Sequence, residues 1–359
     1  MLLIAGCSGP AKPKPSDLLP VNSLVAVMQV WATNIGEVTF PLEVKVVGKD
    51  IYAASSAGVV SAIDAYSGVV RWTVSLGARI AAGVGSDGDT AAVVTAEGDL
   101  VALKKGKKIW QQRLGGVSIT PPLVAGGRVF AITPDRTLLA FDSETGKKLW
   151  QQQRGGNSLV LDRPGVLFPF GDTLVTGLGG RLVGLNPLNG VQRWDVPISV
   201  SRGSNEVERL VDIVAGISRD GSDLCVRAYL NAVACLNLGG QKVIWSQAAN
   251  GFSGIAGDDE SVFGTESDGR VIAWRRVDGV RVWQSDAMRW RDLGTPLVLG
   301  STLAVPDGAG VLHLLAKSDG TSVGRLSFDA SPLNVTPVLV GKTLVVVTQK
   351  GGIFAFRPE

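Results

Sequence analysis

The residue types that do most enzyme chemistry are scarce in this sequence of 359 residues. One histidine, His313, is present, so neither a two-histidine metal site nor a multi-histidine catalytic centre can be assembled. Cysteine occurs three times, at Cys7, Cys225 and Cys235. That is too few for a four-cysteine zinc site, an iron–sulfur cluster or a disulfide-rich scaffold. Glycine-rich stretches such as Gly171 to Gly184 have the composition of phosphate loops, but no strand-to-helix pattern surrounds them and they read as turns. The 35 basic and 32 acidic residues leave a net charge of +3, which gives no whole-chain argument for a nucleic acid or an anionic lipid. With 45% hydrophobic and 19% charged residues, the chain has ample material for a packed core and disorder is excluded. The chemistry to look for is attachment and recognition.

Cys7 is the first candidate. The run Leu3-Ile4-Ala5-Gly6-Cys7 has the form of a bacterial lipobox: an aliphatic residue, two small residues and a cysteine whose thiol carries lipid after cleavage. Residues 1–6 are therefore expected to be a truncated lipoprotein signal segment, far short of the roughly 20 apolar residues of a membrane-spanning helix. Ser8, in the second mature position, fits sorting to the outer membrane. Pro10, Pro13, Pro15 and Pro20 then make residues 7–20 a lipid-anchored tether, able to hold a domain about 40 Å from its anchor if fully extended.

Cys225 and Cys235 fall on two successive predicted strands joined near Leu230-Asn231. In an oxidising compartment they bridge if they stand opposite in register. Otherwise they are two buried thiols, and the sequence leaves both readings open.

The elements that position these residues repeat. The segment Val59 to Trp72, with Asp64-Ala65-Tyr66-Ser67-Gly68 between two apolar runs, recurs as Leu138 to Trp150, Leu182 to Trp194 and Val271 to Trp283. Leu100 to Trp110 is shortened in the turn, Val233 to Trp245 has an altered turn at Gly239-Gly240, and Leu312 to Gly324 has glycine where the others have tryptophan. Alternating apolar residues make half-buried strands, and the glycine of each turn takes the positive φ that reverses the chain. Two further short strands precede each unit, such as Pro122 to Val124 and Arg128 to Ile132. The slots at 31, 72, 110, 150, 194, 245, 283 and 324 are about 38 to 51 residues apart. Four strands in a period of about 40–50 residues is the signature of a propeller blade. The predicted fold is all-β: an eight-bladed β-propeller of four-stranded antiparallel blades over residues 21–359. Its eighth blade is split between Ile353–Phe356 at one end of the chain and the strand around Trp31 at the other, so that pairing the two ends closes the ring. Seven of the nine tryptophans occupy the repeat slot, where packing between blades is expected, and Trp274 reads as core.

The pattern Ala-x-Asp-x-x-Thr/Ser-Gly-x-x-x-Trp resembles the quinoprotein (PQQ-type) repeat, carried both by quinone-cofactor dehydrogenases and by non-enzymatic propellers. A dehydrogenase of this type would be larger and would need a calcium site and an aspartate base. Neither the vicinal cysteine pair nor the Cys-x-x-Cys-His of such enzymes is present. Lipobox, proline tether and eight blades together resemble the BamB family, the lipoproteins of the outer-membrane β-barrel assembly machinery, over essentially the whole chain. The resemblance implies a scaffold that is not an enzyme and has no cofactor or metal. It implies attachment to the periplasmic face of the outer membrane, docking to the periplasmic domains of BamA, and nascent outer-membrane proteins as a further candidate partner, with no role for nucleic acid. A generic periplasmic propeller scaffold is the alternative, and a relative of the PQQ-dependent dehydrogenases the remote one.

Two insertions sharpen this expectation. The stretch from a repeat tryptophan to the next blade is usually about 8 to 12 residues, but it is longer after Trp150 and longest after Trp194. Leaving equivalent positions in consecutive blades, the two insertions should emerge side by side on one face, where repeat proteins commonly bind. The first resembles the family's Ser-Leu-x-Leu-Arg docking motif through Ser158, Leu159 and Leu161, with Arg163 one residue beyond the arginine position. The second resembles an acidic-Arg-Leu-x-Asp-x-Asp motif through Glu208, Arg209, Leu210 and Asp212, with Val214 in place of the last aspartate. By this resemblance Leu159, Leu161, Arg163, Arg209 and Asp212 are the partner-binding residues. The competing expectation is that the leucines pack down as loop core and the charged residues form a local network.

Overall fold

A computed structural model describes residues 13–21, 24, 26–155, 161, 163–199 and 211–358. Among these residues there are thirty-two strands and no helix, arranged as eight four-stranded sheets. Blade 1 is β2 (Lys45–Val47), β3 (Asp50–Ala54), β4 (Val59–Asp64) and β5 (Val70–Ser75), and blades 2 to 7 follow in chain order. The two middle strands of blade 1 are almost wholly buried while the outer β5 alternates, as expected where blades pack face to face and only the last strand meets solvent.

Blade 8 is assembled from both chain ends. It comprises β30 (Val338–Val340), β31 (Thr343–Val347), β32 (Gly352–Pro358) and β1 (Val27–Asn34), with β1 on the outside against β32. The register runs from Val27–Pro358 through Trp31–Ala355 to Asn34–Gly352, with a bulge between Gln29 and Trp31. Closure by the strands predicted from the split repeat is what the structure shows.

The repeat motif is an interlock between neighbouring blades. Asp64 Oδ1 accepts hydrogen bonds from the Tyr66 and Ser67 amides and the Ser67 hydroxyl, and Asp142 does the same for Glu144 and Thr145. These bonds form the turn and hold both carboxyl groups below their ordinary values. The preceding blade's tryptophan then lies across that turn. Trp31 Nε1 donates to the Ala65 carbonyl, Trp110 to Ser143, Trp150 to Pro187, Trp245 to Arg276 and Trp283 to Lys317. The turn glycines Gly68, Gly146 and Gly320 have φ near +70° and sit directly under these rings, where a Cβ would come within 2.8 Å of ring atoms. Glycine is thus required twice, for the turn and for the approach of the indole. The exception at Gly324 has a topological cause. The next turn would join β32 to β1, but these two strands are not consecutive in the sequence, so no turn lies there to receive an indole at 324.

Cys225, in β19 (Asp223–Ala228), faces Cys235, in β20 (Ala232–Asn237), directly across the pair, and the two form a disulfide. Register decides between the two readings open at the sequence level. Trp274 is buried. On the N-terminal side, part of the tether lies along the rim. The Ser16 amide donates to the Arg289 carbonyl, Arg291 donates to the Ser16 carbonyl, Arg325 to that of Leu19, and the Leu24 amide to that of Val323. Cys7 and the lipobox lie outside the described residues.

Candidate functional site

The two insertions connect β13 (Lys148–Gln153) to β14 (Leu167–Phe170), and β17 (Gln192–Pro197) to β18 (Ile213–Asp220). Each leaves the outer strand of a blade and returns to the inner strand of the next, so both feet reach the same face near the ring axis. There they touch. Gly165 of the first makes a β-bridge with Val214 of the second, and the Ala215 amide donates to the Pro164 carbonyl at 2.8 Å. Leu161, Arg163, Asp212 and Val214 line one small pocket of about 60 Å³. This is the convergence that equal placement in consecutive blades predicts.

The residues at the feet have different environments. Leu161 is buried. Asp212 is half-buried, and its carboxylate accepts the backbone amides of Ile213 and of Gly179 in the neighbouring blade, at 3.0 and 3.1 Å. Burial pushes the Asp212 carboxyl above its ordinary value, opposed by the charge of Arg136 and by the two amides. Val214, which stands where the resembled motif has its last aspartate, is buried in β18 and is a core position. Arg163 is exposed, and its guanidinium lies 4.9 Å from the centre of the Phe252 ring. Leu159 and Arg209 lie outside the described residues, as do Ser158, Glu208 and Leu210.

Beside the feet a funnel of about 420 Å³ opens on the ring axis, lined by the connecting loops of several blades and including Phe40, Glu43, Arg163, Phe252, Asp292 and Asn334. Desolvation raises the Glu43 carboxyl to about 7, with Lys45 pulling the other way. Among the described residues no group of three or more His, Cys, Asp or Glu is placed to hold a metal ion. His313 is buried, with its Nε2 2.9 Å from the Asp307 carboxylate, which also pairs with Arg291 at 2.8 Å. Burial raises the Asp307 carboxyl, but hydrogen bonds from His313, the Val311 amide and Arg291 hold it below its ordinary value. This network supports the loop under which Ser16 docks.

Sequence reasoning missed Arg136 and Phe252. Phe252 follows Trp245 in the loop equivalent to the two insertions, so comparing all inter-blade loops would have found it. Arg136 sits in a hairpin turn with a positive φ, and no spacing rule points to it.

The family model described as outer membrane protein assembly factor BamB matches residues 56–285. The outer membrane protein assembly factor BamB of Burkholderia pseudomallei (strain K96243) is 33% identical over 365 aligned positions, covering 100% of this chain and 96% of its own. The chain belongs to the BamB family. The crystal structure of BamB from Moraxella catarrhalis superposes with a TM-score of 0.83 at 23% identity, covering 92% of this chain and 100% of that one. Quinohemoprotein alcohol dehydrogenase from Comamonas testosteroni superposes with a TM-score of 0.69 at 14% identity, over 92% of this chain and 76% of its own. The dehydrogenase shares the fold, whereas BamB assembly factors match this chain in sequence along nearly its whole length.

Proposed function

We propose that this protein is a non-enzymatic scaffold of the outer-membrane β-barrel assembly machinery, anchored through lipid on Cys7 and docking to the periplasmic domains of BamA through the insertions after Trp150 and Trp194. The observation that carries the docking reading is the Gly165–Val214 bridge, which joins the feet of both insertions into one platform beside the funnel. In this reading Leu159, Arg163 and Arg209 bind the partner. Arginine offers charge-assisted, oriented bonds, and leucine fills a shallow apolar pocket. Leu161 and Asp212 contribute from below, by holding the feet.

The variant Leu159→Ala with Arg163→Ala is expected to weaken capture of the BamA periplasmic domains about tenfold or more, with the melting temperature moving by less than about 2 °C. Asp212→Ala is expected to lower both capture and melting temperature, because it leaves two backbone amides without their acceptor. Undiminished capture by the Leu159/Arg163 variant would remove the docking assignment.

Anchoring is tested separately. Cys7→Ser should yield a protein with no acyl mass that no longer partitions with outer membranes. An acylated, membrane-bound Cys7→Ser product would show that the anchor lies elsewhere.

A further inference from the structure

Each repeat tryptophan stands opposite a small residue on the adjacent strand of its own blade. Trp31 faces Ala355, Trp72 faces Ala62, Trp110 faces Ala102, and Trp150 faces Ala140. Trp194, Trp245 and Trp283 face Gly184, Cys235 and Ala273 in the same way. In blade 7 the pair is reversed: Gly324 stands opposite Leu314. Leu314 covers Gly324 within the strand pair, and beyond Leu314 an apolar cavity of about 370 Å³ lies between blades 7 and 8. Leu314 and Leu326 wall it from blade 7, and Val27, Leu344 and Phe356 from blade 8. Lys342 is exposed at the mouth and forms no ion pair among the described residues. The outer edge of β1 runs beside that mouth, since Val27 both begins the strand and lines the cavity.

We infer that this cavity receives an aromatic side chain supplied in trans by an extended, aspartate-bearing polypeptide segment. Seven equivalent slots in the same chain are filled by an indole, so the walls belong to a site class whose occupant is known in shape. The eighth has no indole of its own, carries Leu314 at the facing position and has no turn beneath it, so a ring that fills it must come from elsewhere. An incoming strand that pairs with the edge of β1 would present alternate side chains to the cavity, with main-chain bonds giving affinity and the ring giving selectivity. Lys342 favours acidic residues flanking the ring. The inference rests on the assembly-scaffold reading in one respect: unfolded barrel strands would be the natural source of such segments.

The test uses a fluorescein-labelled decapeptide of alternating threonine and aspartate with one central tryptophan, and the same peptide with alanine in its place. The tryptophan peptide is expected to bind saturably, and the alanine peptide at least about tenfold more weakly. Leu314→Ala with Gly324→Trp rebuilds the chain's own repeat pair. Although this indole has no turn to rest on, it should occupy the cavity and abolish peptide binding. Leu339→Trp, at the half-exposed mouth, provides a second block that does not depend on refilling the core. Equal binding of the two peptides, or unchanged binding by both blocked variants, overturns the inference. So does saturable binding of laurate that the blocks remove while the peptide is indifferent, which would assign the cavity to an acyl chain. Capture of BamA domains, read on the same variants, should be unchanged. A parent that binds peptide but fails to capture BamA would count against the docking reading alone.

Discussion

Deleting Ile353 to Glu359 is expected to open the ring and lower the melting temperature by more than about 10 °C. The deletion removes nearly all of β32, the strand that lies between β31 and β1. β1 has no other strand partner in its sheet, so the register from Val27–Pro358 to Thr33–Ile353 is lost with it. Ile353, Ala355 and Phe356 are buried, and removing two large apolar side chains forfeits about 1.5–3 kcal/mol each before any loss of hydrogen bonding. Arg357, which donates to Thr343 and to the Tyr66 carbonyl of blade 1, goes as well. A calorimetric or circular-dichroism melt decides the matter. A truncated chain that melts within a few degrees of the parent would mean that closure contributes little and that blades 1 to 7 are self-sufficient.

Glu266→Ala should destabilise the protein by about 3–5 kcal/mol, the range for breaking a buried ion pair from one side. Arg227, on β19 in blade 5, is fully buried, and its Nη1 and Nη2 lie 3.2 and 3.3 Å from Glu266 Oε1, which comes from blade 6. Burial pulls the Arg227 guanidinium below its ordinary value, and Glu266 opposes this. The second oxygen of Glu266 accepts the Asn250 amide. The alanine variant therefore leaves a buried cation without its counter-ion and an amide without an acceptor. The surroundings are fitted to the guanidinium: a Cβ at Gly251 or Gly264 would come within 1.9 or 2.3 Å of it. Replacing both partners, Arg227→Met with Glu266→Leu, should recover most of the loss, since no charge is then stranded. Denaturant melts of the single and double variants give both numbers. A single variant within about 1 kcal/mol of the parent would show that water reaches the pair.

The blades were legible because their signals are local. An aspartate that accepts its own turn's amides, a glycine with positive φ and a strand alternation of two all act within about fourteen residues, and they recur often enough to be counted. Even the closure was legible, because a repeat cut in two leaves a half at each end. The residues of the two insertions are a different case. Leu161 and Asp212 fit a motif by type and spacing, yet Leu161 is buried and Asp212 bonds two amides, one of them Gly179 in another blade. A motif preserves residue types and does not say which way a side chain turns.

By itself, the sequence of this protein determined the number of blades, the split of the eighth, the positions of the interlocking tryptophans and the two loops that depart from the period. Only the tertiary structure decided that Cys225 and Cys235 face each other, that the insertions join at Gly165 and Val214, and that Arg227 finds Glu266 across a blade boundary. It alone showed that an apolar cavity lies between blades 7 and 8, beyond the Leu314–Gly324 pair. The physical reason is the same each time. Strand register and the packing of one blade on the next are set by contacts between residues far apart in the chain, and no local periodicity records which of them will meet.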